Sequence, residues 1–297
     1  MTAGPEEGAS PLDPVPMAPV PPPERRSRAG RNLPAAVAVG LGLGAVVLAS
    51  LYIWKPAFLV VIVAAVFLAV IELAHAFAAD GVRFPVPPVV VGAVAVVVGA
   101  YAGGSDGLVA AVALTLFATM IWRARGATAG YVRDVTAGAF TVLYIPVLAS
   151  FAALLLRQED GADRAVLFII LTVLSDVGGY AAGVLFGRHP MAPSISPKKS
   201  WEGAAGSALF CAVGGAIAIP TMIDGRAVYG VLIGLAVMVA ATLGDLGESM
   251  IKRDLGIKDM GSLLPGHGGV LDRLDSLLPA APVTFLLIGW LVPVVSP

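Results

Sequence analysis

The chain has 297 residues, of which 58% are apolar and only 13% charged, with a formal net charge of −1 and a mean hydropathy of +0.88. Soluble domains carry roughly 25% charged residues, so an ordinary soluble globular protein is excluded, and cations confined between apolar runs exclude a general nucleic-acid-binding surface. Its one cysteine, Cys211, excludes an intramolecular disulfide or a cysteine-rich metal cluster and reads as packing.

Residues 1–33 are rich in proline and end in the basic cluster Arg25, Arg26, Arg28 and Arg31. Such a composition cannot bury a core and predicts a disordered cytoplasmic tail. Beyond it, a bilayer core of ~30 Å needs ~20 apolar residues as helix. Runs of that kind fall at about 34–54, 57–79, 86–102, 107–122, 135–156, 165–187, 204–222, 227–247 and 276–295. The expectation is an all-α polytopic membrane bundle of about nine helices, because a backbone in lipid must satisfy its own hydrogen bonds. Residues 34–160 form its N-terminal membrane helices and 161–297 a C-terminal membrane region that carries the chemistry. With the N-terminus inside, only Lys55, Arg157, Arg164 and Arg226 of the 19 Lys and Arg fall outside. That asymmetry supports the number and direction of the spans.

Few residues of the first half suggest chemistry. Glu72 and His75, near the end of the second run, share a helix face and read as an interfacial pair near the headgroups. Glycines such as Gly40, Gly42 and Gly44 fit close helix packing, which permits a homodimer without requiring one.

Two later regions break the apolar pattern. In residues 175–203, Asp176 stands near the middle of a span, where a carboxylate must face a cavity or a partner. Tyr180 lies one turn on. Gly179, Gly183 and Gly187 recur every fourth residue and let another helix approach. Lys198, Lys199 and Ser200 follow Pro197, with Trp201 at the interface, and His189 reads as a loop residue.

The larger region, residues 244–276, holds Asp245, Glu248, Asp254, Asp259, Asp272 and Asp275 beside Lys252, Arg253, Lys258 and Arg273. Asp245, Ser249 and Lys252 lie at i, i+4 and i+7 on one helix face. Mixed signs at this density suit a magnesium site holding polyphosphate. The glycine turn around His267, Gly268 and Gly269 opens a helix whose N–H groups favour anions. Asp272 and Asp275, three apart, fall on one face of that helix.

From Ser249 to Asp275 the pattern resembles the signature of the phosphatidate cytidylyltransferases, the CDP-diacylglycerol synthases. Its fixed positions are Ser249, Lys252-Arg253, Lys258-Asp259, His267-Gly268-Gly269, Asp272-Arg273 and Asp275. The segment SPKKSWEG, 196–203, is similar to the family's upstream block, with Ser200 where threonine is usual. The resemblance implies Mg2+-dependent transfer of the cytidylyl group of CTP to phosphatidate, and it allows a second cation. It implies that Asp245 and Asp272 hold Mg2+, with Asp275 and Asp176 beside them. Lys252, Arg253, Lys258 and Arg273 would hold phosphates, His267 would hydrogen-bond one, and the glycine turn would seat the triphosphate. It implies an enzyme of phospholipid biosynthesis in the plasma (inner) membrane, among membrane lipids, with its site facing the cytoplasm. The alternatives are a CTP-dependent lipid kinase of the polyprenol type and an ion-coupled transporter using Asp176 and Asp245.

Overall fold

The computed structural model describes residues 33–261 and 268–293. The proline-rich tail, His267 and the extreme C-terminus lie outside the described residues. The described residues are mostly helical, in the order α1 Leu33–Ile53, α2 Lys55–Ala79, α3 Val86–Ala124, α4 Tyr131–Val142, α5 Leu148–Arg157 and α6 Gly161–Phe186. After the two short strands β1 Pro190–Ala192 and β2 Ser196–Ser200 come α7 Trp201–Ile223, α8 Ala227–Asp254, α9 Leu271–Leu274 and α10 Leu277–Leu291. A π-helical turn, Leu143–Val147, containing Pro146, joins α4 to α5, so 131–157 acts as one span. Proline removes a backbone donor, and the widened turn accommodates its ring.

Seven helices among the described residues are long and apolar enough to cross a membrane, against the expected nine. The difference arises at two places. Runs 86–102 and 107–122 are the two arms of α3, which kinks at Gly104, where φ 64° and ψ −147° are not helical. Only glycine takes that conformation without strain. It folds α3 back on itself, so that Gly92 abuts Thr115 and Gly99 abuts Gly107, while Gly104 meets the Arg157 guanidinium. The second place is α1, of which Gly44–Ile53 is the apolar stretch described in full.

The bundle has two unlike ends. At one, Lys55 donates to the carbonyls of Gln158 and Glu159 at 2.8 Å each, and the Tyr52 hydroxyl donates to Asp163 at 2.8 Å. Arg164 there bridges Asp160 at 2.5 Å and the Val292 carbonyl at 3.0 Å. At the other, Asp134 is buried between Arg123, 2.9 Å away, and Arg133, 3.5 Å away. That second end also gathers the C-terminus of α6, the β-hairpin, the C-terminus of α8 and the start of α9.

Small residues bring the helices of the C-terminal half together. A Cβ on Gly178 or Gly206 would strike the other's backbone carbonyl, and Gly179 lies against Ser207. Ser207 donates across this contact to the Ser175 carbonyl at 2.6 Å. Cys211 is fully buried, its thiol 3.3 Å from the Leu171 carbonyl, as a packing residue should be. Gly215 against Gly230 and Gly234 against the Cys211 carbonyl join α7 to α8 in the same way, so α6, α7 and α8 stand as three closely packed walls.

Candidate active site

Where those walls meet α9, at the polar end, they enclose a cavity of about 450 Å3. α6 contributes Ser175, Asp176, Gly179, Tyr180 and Gly183; the hairpin contributes Met191, Lys198, Lys199 and Ser200. α7 adds Gly203, Ala204 and Ser207, α8 adds Ala241, Thr242 and Asp245, and the start of the last span adds Asp272, Arg273, Asp275 and Ser276. Four carboxylates and three cations thus share one space between apolar helices.

The β-hairpin delivers the lysines. β1 and β2 pair antiparallel, with Pro190 opposite Ser200. Ser200 then caps α7, its hydroxyl accepting from the Gly203 N–H at 3.1 Å. Glu202 in the first turn of α7 accepts from the Arg188 and His189 N–H groups and pairs with the His189 ring at 2.6 Å. His189 is therefore a loop fastener, consistent with its sequence context. So fixed, Lys199 reaches across to Asp245 at 2.6 Å, an ion pair joining the hairpin to α8.

The anticipated row on α8 divides. Asp245 faces the main cavity, while Ser249, its hydroxyl 3.5 Å from Asp245, and Lys252 line a second cavity of about 230 Å3. Arg253, Lys258, Ser196 and Lys198 complete much of that second lining, and Lys198 borders both spaces. Lys252 pairs with Glu248 one turn earlier and with Asp272 at 3.0 Å. Glu248 is fully buried. Its position four residues before Lys252 is the spacing of a helical ion pair, which is the signal that could have identified it.

The glycine turn differs from expectation in the direction of its donors. The Gly269 N–H donates to Asp272 at 2.7 Å, and the Val270 and Leu271 N–H groups donate to Glu72 at 2.9 and 2.8 Å. The anions on these amides are the protein's own carboxylates, so they are not free to seat a triphosphate. Gly268, at φ 81°, and Gly269 line neither cavity. Asp259 is exposed and also lines neither. Asp272 further accepts from the Met260 N–H at 3.1 Å, and it still borders the main cavity with Asp275, as their spacing predicts.

Glu72 and His75 do not act as an interfacial pair. His75 is exposed, whereas Glu72 is only 3% exposed and turned into the bundle against the start of α9. Thr242, Ser175, Ser207 and Ser276, which also line the cavity, carry no distinctive spacing in the sequence.

Residues 34–291 match the pattern of the cytidylyltransferase family. A phosphatidate cytidylyltransferase of Mycobacterium leprae is 44% identical over 278 residues, which cover 88% of this chain and 89% of that protein. One from Mycobacterium bovis is 41% identical over 88% of this chain and 90% of its own. A phosphatidate cytidylyltransferase of Haemophilus influenzae is 40% identical over 154 residues, 48% of this chain. With an apolar helical bundle around two adjoining charged cavities and a family pattern spanning nearly its whole length, the chain belongs to the cytidylyltransferase family.

Proposed function

We propose that this membrane protein transfers the cytidylyl group of CTP to phosphatidate, giving CDP-diacylglycerol and pyrophosphate. The observation that carries this reading is the single cavity in which Asp176, Asp245, Asp272 and Asp275 stand opposite Lys198, Lys199 and Arg273. The names of its mycobacterial relatives agree with it.

Both substrates are anions, and the first task of the site is to bring them together. The second pKa of a phosphate monoester lies near 6, so the phosphatidate phosphate is a competent nucleophile near neutral pH without a dedicated base. One of its oxygens forms a bond to the α-phosphorus of CTP; the bond from that phosphorus to the bridging α–β oxygen breaks, and pyrophosphate leaves with that electron pair. Lys198, Lys199 and Arg273 offset the charge that gathers in the cavity. Lys252, Arg253 and Lys258 provide a neighbouring cationic surface for the phosphates, reached past Lys198.

The residues fit magnesium. It favours a few carboxylates together with phosphate oxygens and water, and among the described residues no three acidic, His or Cys side chains converge tightly enough to enclose an ion alone. Asp245 and Asp272 would hold it, with Asp176 and Asp275 alongside; the first two each pair with a lysine. When bound, Mg2+ would draw charge from the phosphoryl oxygens. The polar end would face the cytoplasm at the plasma membrane, as supported by the cations there and by only Lys55, Arg157, Arg164 and Arg226 at the other end.

Full-length protein purified in detergent should make CDP-diacylglycerol from CTP and phosphatidate in the presence of Mg2+. Absence of product from protein that elutes as a folded, monodisperse species would contradict the reading. For orientation, single cysteines at Ser196 and Gln158, with Cys211 replaced by serine, should be labelled by an impermeant thiol reagent from opposite faces. Labelling of Ser196 from outside would reverse the assignment.

A further inference from the structure

Glu72 belongs to α2, far in sequence from the charged cavity, and it lines neither space. Its carboxylate is nevertheless bound to the start of the last span: Oε1 accepts from the Val270 N–H at 2.9 Å and Oε2 from the Leu271 N–H at 2.8 Å. It is 3% exposed and has no cation partner among the described ion pairs. A buried carboxylate costs several kcal/mol unless its oxygens are satisfied, and here backbone amides supply that satisfaction.

The surroundings are shaped for this group. A Cβ on Gly261 or on Gly269 would collide with the Glu72 carboxylate, so two backbone strands close on it where only glycine leaves room. Asp272 holds the same backbone from the other side, accepting from Gly269 at 2.7 Å and Met260 at 3.1 Å. An apolar side chain at position 72 could fill the volume but could not take two N–H groups. The two amides that Glu72 holds immediately precede Asp272 and Arg273, which line the cavity.

We propose that Glu72 is a positioning residue: by gripping the Val270 and Leu271 amides it sets Asp272 and Arg273 into the cavity, making the N-terminal helices part of the catalytic unit. The proposal rests on the cytidylyltransferase reading for its activity arm.

The test uses the full chain in detergent with Glu72→Gln, Glu72→Asp and Gly269→Ala. Two quantities are measured: hydrogen exchange over residues 268–275 with Mg2+ alone, and the Mg2+ midpoint of cytidylyl transfer at saturating CTP and phosphatidate. Glutamine turns a donor toward one of the amides, so exchange should accelerate roughly tenfold, the Mg2+ midpoint should rise, and kcat should fall about 10- to 100-fold, the range typical of groups that orient metal ligands. Aspartate retains the charge and should recover part of the loss. Gly269→Ala pushes on the carboxylate from the opposite side and should reproduce the glutamine signature if Glu72→Gln fails to fold. A merely structural role would reduce the amount of folded protein and leave the Mg2+ midpoint of the remainder unchanged. Unchanged exchange or an unchanged midpoint in folded Glu72→Gln overturns the proposal. A wild-type chain that makes no CDP-diacylglycerol would contradict the functional reading instead, while the exchange arm would still decide whether Glu72 holds the turn.

Discussion

The two halves of the bundle use an aspartate in opposite ways. In the N-terminal half, Asp134 is closed off by Arg123, Arg133 and the Arg83 N–H, so its charge is used up in joining α3 to α4. In the C-terminal half, Asp176, Asp245, Asp272 and Asp275 surround a space large enough for a ligand, with lysines brought from other elements. The same residue type thus serves as a fastener where its partners are complete and as a site where they are shared across a cavity.

The largest expected effect comes from breaking the cavity side of that contrast. Asp245→Asn and Asp272→Asn should each lower turnover by at least about 100-fold, on the scale of removing a preorganised charge at a transition state. Size-exclusion chromatography should show both variants folded. Near-normal turnover at ordinary Mg2+ in either would remove that residue from the site. A smaller loss is expected for Lys199→Met, which leaves Asp245 without its partner on the hairpin. Because lysine contributes a point charge toward phosphate, KM for CTP should rise about tenfold, the order of one charge-assisted hydrogen bond; an unchanged KM would assign Lys199 to structure alone.

The fastener side predicts the reverse. Asp134→Asn leaves Arg123 and Arg133 unbalanced and should lower the thermal midpoint, since removing one member of a buried pair is costly. Turnover per folded molecule should stay within about twofold, as for substitutions remote from a site. A large loss of turnover with an unchanged midpoint would place Asp134 in the chemistry. Least affected should be a chain lacking residues 1–24, with specific activity within about twofold, as is usual for trimmed termini. A collapse of activity in inserted protein would give the tail a role.

Much of the cavity was legible because its residues are close in sequence. Asp272, Arg273 and Asp275 fall within one signature, with Asp245 one helical turn before its first residue, and Lys198, Lys199 and Ser200 fall within one hairpin strand, so local spacing brings each group to the polar end. The pairings between groups were less legible. Lys199 to Asp245 and Glu72 to Val270 depend on which helix faces turn together, and a lone glutamate in an apolar run reads the same whether it meets headgroups or a distant backbone. The amides after Gly268 were expected to seat the triphosphate, but spacing cannot show that the chain's own Asp272 and Glu72 take them. The span count depended on Gly104, whose non-helical backbone folds the two apolar runs of α3 against each other as antiparallel arms, so that one long helical stretch holds two of the expected runs.

The central claim is that the cavity directs the lipid phosphate to the α-phosphorus of CTP. It is tested most directly by following phosphorus from CTP labelled at either end, with purified protein, Mg2+ and phosphatidate. The α label should appear in the lipid product and the γ label in pyrophosphate, and diacylglycerol, which lacks the phosphate, should accept neither. Label from the γ position in the lipid would contradict the account and make the protein a CTP-dependent lipid kinase.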